Sequence, residues 1–190
     1  MYIKKLEEEF SQNNYYHSGN SFKFLPGIIP VILSAPHSVR HFREGKMKAH
    51  DFYTGAIVKN LHLLTSCHAV YSAACETTDP NFNLESEYKT ELLKYIKENN
   101  IMYCLDIHGM SLNNPKIVDI GTSPTDKDNL YSFKKDVVLF ERIYNIFDSA
   151  FLDKIGVNNM FKAGPKTITH FISENSNCKC LQFEINGLYR

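Results

Sequence analysis

A chain of 190 residues with 43% hydrophobic and 22% charged residues is long enough to bury one substantial core and too short to divide readily into two, so a single domain over 1–190 is expected. Lysine plus arginine equals aspartate plus glutamate at 21 each, which leaves no bulk electrostatic reason to expect nucleic acid or an anionic membrane as partner. No apolar run reaches the roughly 18 residues of a spanning helix, and the start, Met1-Tyr2-Ile3-Lys4-Lys5-Leu6-Glu7-Glu8-Glu9, lacks a signal peptide's apolar segment, so the expected address is cytoplasmic.

Residues 1–25 mix charged and aromatic positions, and Asn13, Asn14, Ser18, Gly19 and Asn20 carry turn chemistry, so the sequence predicts an edge strand or hairpin there. Val31, Ile32 and Leu33 follow Pro26, Gly27 and Pro30 and read as a short core strand. Pro36 removes a backbone donor and stops sheet pairing where His37 appears. The polar, glycine-interrupted stretch 40–48 reads as a surface loop, the kind of segment in which sites concentrate.

Asp51 opens a helical pattern that runs to about Ser66, and an aspartate there either caps the helix or serves a ligand. A second strand is predicted over 69–74, a turn-rich loop over 76–81 and an amphipathic helix over 85–99. The strand 101–107 then ends in His108-Gly109-Met110, repeating the pattern at His37. A strand over 117–121, a helix over 137–151, a short helix over 166–173 and a last strand over 180–185 complete the chain. Strands alternating with helices predict an α/β fold, a three-layer α/β/α sandwich with a mixed, mostly parallel central sheet. The five cysteines make no C-x-x-C pair and sit mostly in apolar runs, so they read as small buried hydrophobes.

Ligands of open α/β sheets bind outside the carboxyl ends of the strands. Two strands ending in His37 and His108 bring two imidazoles to one sheet edge, which is half of a catalytic zinc site. Candidate carboxylates for a third ligand are Asp51, Glu44, Glu76 and Asp106. Asp51 is favoured and Glu44 is second, because Glu44 lies between Arg43 and Lys46 and reads as a solvated ion pair. Strand alternation puts Asp106 on the face of His108, where it can orient the ring instead. Glu184 stands between Phe183 and Ile185, where a carboxylate is costly without a task. As a general base it would take a proton from zinc-bound water and pass it to a leaving amine. His17, His41, His50, His62 and His68 have no such context and read as surface or packing residues.

Ser34-Ala35-Pro36-His37-Ser38, Asp51-Phe52-Tyr53-Thr54-Gly55-Ala56, Asp79-Pro80-Asn81, Leu105-Asp106-Ile107-His108-Gly109 and Gln182-Phe183-Glu184-Ile185-Asn186 resemble, in order, motifs of the N-formylglutamate amidohydrolase family. That family is related to the zinc carboxypeptidases and aspartoacylases. The resemblance implies a mixed eight-stranded sheet between helices, Zn2+ at His37 and His108, and Glu184 as the catalytic glutamate. It also implies a substrate that is a small N-acyl amino acid or peptide-like amide. Two positions depart from the pattern: Phe82 follows Asn81 where the family carries an arginine, and Arg40 stands where a carboxypeptidase would place a ligating glutamate. With Phe82 there, Arg40, Arg43 and Lys166 become the candidate grips for a substrate carboxylate, and Asn81 joins them as a substrate-binding candidate. The competing expectations are a non-catalytic small-anion-binding protein on the same fold, and a peptidase for γ-glutamyl or cell-wall peptides.

Overall fold

A computed structural model describes residues 2–12, 21–75, 77–123, 145–146 and 149–190. Its strands are β1 (Phe22–Leu25), β2 (Ile29–Ala35), β3 (His41–Arg43), β4 (Lys46–Lys48), β5 (Cys67–Ser72), β6 (Tyr103–Met110), β7 (Val118–Gly121), β8 (Ile155–Val157) and β9 (Lys179–Asn186). The helices among the described residues are α1 (Tyr2–Gln12), α2 (Thr54–Thr65), α3 (Glu87–Glu98) and α4 (Ile168–Asn175). Seven strands form one sheet in the order β1-β5-β2-β6-β9-β7-β8. β5, β2, β6 and β9 run parallel to one another, as do β7 and β8, while β1 against β5 and β7 against β9 are antiparallel. The sheet is therefore mixed and mostly parallel, as the alternation of elements predicts. It has seven strands among the described residues where the resemblance implies eight.

The apolar runs of the central strands arise because both sheet faces are covered. On one face Leu33, Ala35, Ala69, Tyr71 and Ile107 pack against Leu6 and Phe10 of α1 and Ala56 and Val58 of α2. On the other, Ile32, Val70, Cys104 and Cys180 pack against Tyr88, Leu92 and Ile96 of α3 and Ile168 and Ile172 of α4. Alternation carries this second face onward from Ile32 to Ser34, from Cys104 to Asp106 and His108, and from Cys180 to Gln182 and Glu184. Each central strand thus turns from apolar to polar toward its carboxyl end, while its residues stay buried. All five cysteines are buried free thiols, in keeping with their reading as small hydrophobes.

Three local readings change. Within 1–25 the expected edge strand is β1 (Phe22–Leu25), but Tyr2–Gln12 form a helix, because Ile3, Leu6 and Phe10 make an i, i+3, i+7 stripe that the intervening lysines and glutamates hide. The stripe docks through Phe10, whose ring meets Tyr71 edge-on at 5.2 Å. The stretch predicted as a surface loop contains the β3–β4 hairpin, turned by Glu44 and Gly45 at φ 52 and 74. Both turn residues are left-handed, as a two-residue type I′ connection requires. The helix predicted over 137–151 lies mostly outside the described residues; Asn145 and Ile146 are helical and Ser149–Lys154 makes a 3-10 turn. No helix among the described residues is long and apolar enough to cross a membrane.

Beneath the polar end of the sheet, Lys89 is 1% exposed and donates to the carbonyls of Asn83 and Lys166, tying together two loops that border the site. Burial pulls its ammonium down to about 8, against the opposing charges of Asp106 and Asp79. An unfolded lysine titrates near 10.4, so between those pH values the unfolded chain holds more protons and rising pH favours the native state. Urea denaturation at pH 7.5 and 9.5 should show the stability of the parent, relative to Lys89→Met, growing with pH. Equal pH dependence in the two proteins would mean that the ammonium is not depressed.

Candidate metal centre

His37 stands two residues past the end of β2, where Pro36 has ended the strand. Its carbonyl accepts from the Asp51 amide at 2.8 Å, which folds the 49–53 segment back over the sheet edge. Asp51 does not cap α2; the helix begins at Thr54 after Tyr53 in the left-handed region. The Asp51 side chain points into the site instead, with Oδ2 accepting from the Gly109 amide at 3.0 Å. His108 lies within β6, directly beside Glu184 of β9 in the parallel register.

These elements converge three donor atoms. His37 Nδ1 and His108 Nδ1 are 3.2 Å apart, and Asp51 Oδ2 lies 3.5 Å from the first and 3.6 Å from the second. Tetrahedral zinc with bonds of about 2.0 to 2.1 Å sets its ligand atoms about 3.3 Å apart, so this triangle has the dimensions of one face of such a centre. The far nitrogen of each ring is bound to a buried carboxylate: His37 Nε2 to Asp79 Oδ1 at 2.9 Å and His108 Nε2 to Asp106 Oδ2 at 3.0 Å. With the proton held on Nε2, each Nδ1 lone pair faces the common point, as carboxylate–histidine–metal arrangements require. Asp106 is itself fixed by the Ser34 hydroxyl at 2.8 Å.

The electrostatics are those of a site shaped for a cation. Burial would depress both imidazoles, yet Asp51 and Asp79 raise His37, and Asp106 and Asp51 raise His108 well above the ordinary histidine value. Burial likewise works against the Asp51 carboxylate, and its bonds with His108 and His37 more than reverse this, holding it far below the usual range. The carboxylates around the two rings thus favour positive charge at this point, whether a proton or a metal ion carries it. A second trio, His37, His41 and Asp79, also brings ligand atoms together. Asp79, however, is fully committed: Oδ1 accepts from the Asn81 amide at 2.8 Å as well as from His37, and Oδ2 contacts Arg43 at 2.6 Å and His41 at 3.3 Å. A divalent ion there would have to displace the guanidinium, so Asp79 fits the role of an orienting group.

Glu184 is 6% exposed and accepts from Gln182 Nε2 at 2.8 Å. Burial raises its carboxyl above the ordinary value, and the positive charge on His108 opposes the shift. Glu44 is exposed in the hairpin turn and in neither donor group; Glu76 lies outside the described residues. Among the substrate-binding candidates, Arg40 is exposed. Arg43 is held by Asp79 and lies 5.1 Å from the Phe82 ring centre, while Lys166 approaches the same ring at 4.3 Å. Asn81 accepts from the Ile168 amide at 2.9 Å and faces Gln182 at 3.5 Å, so its side chain fastens the 79–83 loop to α4 and β9.

Sequence reasoning missed two residues that the fold places here. His41 is buried and stacks on His37 with centroids 4.1 Å apart, and Asp79 is buried completely. His41 had no apolar strand beside it to mark it. Asp79 did carry a signal, since Asp-Pro-Asn favours a turn in which the aspartate accepts from the amide two residues on.

No protein-family model matches the chain, and no curated protein matches it. The chain shares its fold with an N-formylglutamate amidohydrolase. That crystal structure, from Ralstonia eutropha JMP134, aligns with a TM-score of 0.58 over 87% of this chain and 85% of its own, at 14% identity. At that identity the likeness is one of fold, and the residues of this chain must carry the chemistry.

Proposed function

We propose that this protein is a zinc-dependent amidohydrolase that cleaves an N-acyl, N-formyl-type amino acid or a similar small amide. The observation that carries the reading is the triangle of His37 Nδ1, His108 Nδ1 and Asp51 Oδ2, with Asp79 and Asp106 behind the rings and Glu184 one strand away. His37, Asp51 and His108 would hold the ion, which supplies Lewis-acid polarisation of the amide carbonyl and lowers the pKa of a water toward neutrality. Glu184, its carboxyl raised by burial, takes a proton from the attacking water and returns it to the leaving amine. Asp79 and Asp106 keep both rings in the ligating tautomer, and Arg43 balances the Asp79 charge. Arg40 is exposed just before β3. Arg43 and Lys166 lie against the Phe82 ring, and with Arg43 paired to Asp79 it is Lys166 that leaves positive charge on that side to draw a carboxylate-bearing substrate. Asn81 keeps that wall in place. The fold shared with an N-formylglutamate amidohydrolase supports the substrate class.

Protein purified without a histidine tag or chelator should hold about one zinc per chain and release the acid from N-formyl amino acids. Chelation should abolish the turnover and added zinc restore it. Absence of both metal and turnover would overturn the reading. Phe82 at the position of the family's arginine, and the engagement of Arg43 by Asp79, favour a second reading as a small-anion-binding protein. Zinc bound with no turnover of N-acyl amino acids or γ-glutamyl peptides would decide for it.

A further inference from the structure

The arginine best placed for a substrate is one that none of the motifs contains. Beyond β9 the chain turns tightly. Asn186 Nδ2 lies 3.4, 2.9 and 3.2 Å from the carbonyls of Leu112, Asn114 and Lys116, and its Oδ1 accepts from the Leu188 amide at 2.9 Å. The Gly187 amide donates to Met110 at 3.2 Å and the Tyr189 amide to Asn186 at 2.9 Å. This turn returns Arg190 across the sheet end. Its Nη1 donates to the Phe52 carbonyl at 3.0 Å and its Nη2 to the Met110 carbonyl at 3.2 Å.

The guanidinium occupies space that two glycines leave open. A Cβ on Gly109 would overlap it, and one on Gly187 would meet Nη2 at 3.0 Å. Gly109 follows the ligand candidate His108, its amide is the donor to Asp51 Oδ2, and Phe52 follows Asp51, so the cation lies one residue from two corners of the metal triangle, on the α1–α2 side of the sheet. The charges of Asp51, Glu184 and Glu7 act on it against the penalty of its burial. Glu7, from α1, is 6% exposed and pairs with His50 at 3.4 Å. Each terminal nitrogen of a guanidinium carries two N–H groups, so one on each remains beyond those given to Phe52 and Met110.

We infer that Arg190 is a substrate-contacting residue whose guanidinium binds the carboxylate of the amino-acid half of the substrate. Arg43 is committed to Asp79, Lys166 to the face of Phe82, and Arg40 is exposed; Arg190 among these cations donates to the backbone next to Asp51, at Phe52, and two residues past His108, at Met110. A fixed guanidinium suits a carboxylate because it offers paired, charge-assisted donors. The substrate class rests on the amidohydrolase reading, whereas the affinity for a carboxylate does not.

The probe that separates the two is glutarate, which has carboxylates and no amide. Titrated calorimetrically into the zinc-loaded protein, it should bind, and Arg190→Gln should weaken it by about ten-fold or more, the loss expected for a charged hydrogen-bonded pair. Arg190→Lys should recover part of that loss. Gly109→Ala should weaken binding as well, because the added methyl evicts the guanidinium without removing it. Zinc content and melting temperature near the parent's in Arg190→Lys and Gly109→Ala would show that the fold is intact. With N-formyl-L-glutamate as substrate, Arg190→Gln should raise KM far more than it lowers kcat. The inference falls if glutarate does not bind the parent, if Arg190→Gln binds it equally well, or if kcat falls while KM holds. Glutarate binding that depends on Arg190 without any amide turnover would uphold Arg190 and overturn the amidohydrolase reading.

Discussion

Replacing His108 with alanine should leave the protein without bound zinc and without turnover of any N-acyl amino acid, and His37→Ala should do the same. Each removes one corner of a triangle whose sides are 3.2, 3.5 and 3.6 Å, so two ligands would remain where a catalytic zinc takes three from the protein. The carboxylates behind the rings provide a graded comparison. Asp106→Asn and Asp79→Asn leave all three ligands in place but disturb the tautomer and angle of a ring, and changes of that kind weaken metal binding by about 10-fold to 100-fold. Asp51→Asn should fall with the histidine variants, whereas Glu44→Gln, at an exposed hairpin turn, should bind zinc like the parent. Metal content by elemental analysis and affinity by competition with a chelating dye would read the series. Zinc retained at full occupancy in His108→Ala would remove this triangle from consideration as the metal site.

The legible part of this molecule is what period-2 alternation and strand termination control. An apolar run ending in Pro36-His37 and another ending in Asp106-Ile107-His108 fix which end of the sheet carries the imidazoles, and alternation alone puts Asp106 and Glu184 on the same face as His108. Asp51 was legible as a choice between cap and ligand, with the ligand role favoured, but the geometry that carries its side chain to the two histidines was not. That depended on the hydrogen bond from the Asp51 amide to the His37 carbonyl, made through chain reversal over the hairpin. Helix α1 was hidden because its apolar stripe is only Ile3, Leu6 and Phe10 wide. Arg190 and Lys89 were invisible for a different reason. A lone basic residue in a loop or on a helix is ordinarily solvated, and only long-range packing reveals that one fills the gap left by Gly109 and Gly187 while the other lies beneath two loops. Local signals mark where backbone pairing stops; they do not report which distant side chain fills the space beyond.

Glu184→Gln tests the proton path separately from the metal. The exchange preserves shape, and the glutamine's carbonyl oxygen can still accept the 2.8 Å hydrogen bond that Gln182 gives to Glu184, so the strand and the triangle should be undisturbed and zinc should bind at the parent's stoichiometry. What disappears is the capacity to take up and return a proton. General acid–base groups contribute about 10^2-fold to 10^4-fold, so kcat should fall within that range with little change in KM. Burial raises the Glu184 carboxyl, so the acid limb of the parent's kcat/KM profile should lie above the ordinary glutamate range. Activity is lost as pH falls through that value because the base becomes protonated. In the variant that limb should vanish along with the rate. A variant that keeps the parent's kcat would exclude Glu184 as the base; one that loses zinc in step with its rate would make it a residue of the metal's surroundings instead. Loss of rate and limb together, with zinc in place, is the outcome expected of a carboxylate that shuttles the proton between water and amine.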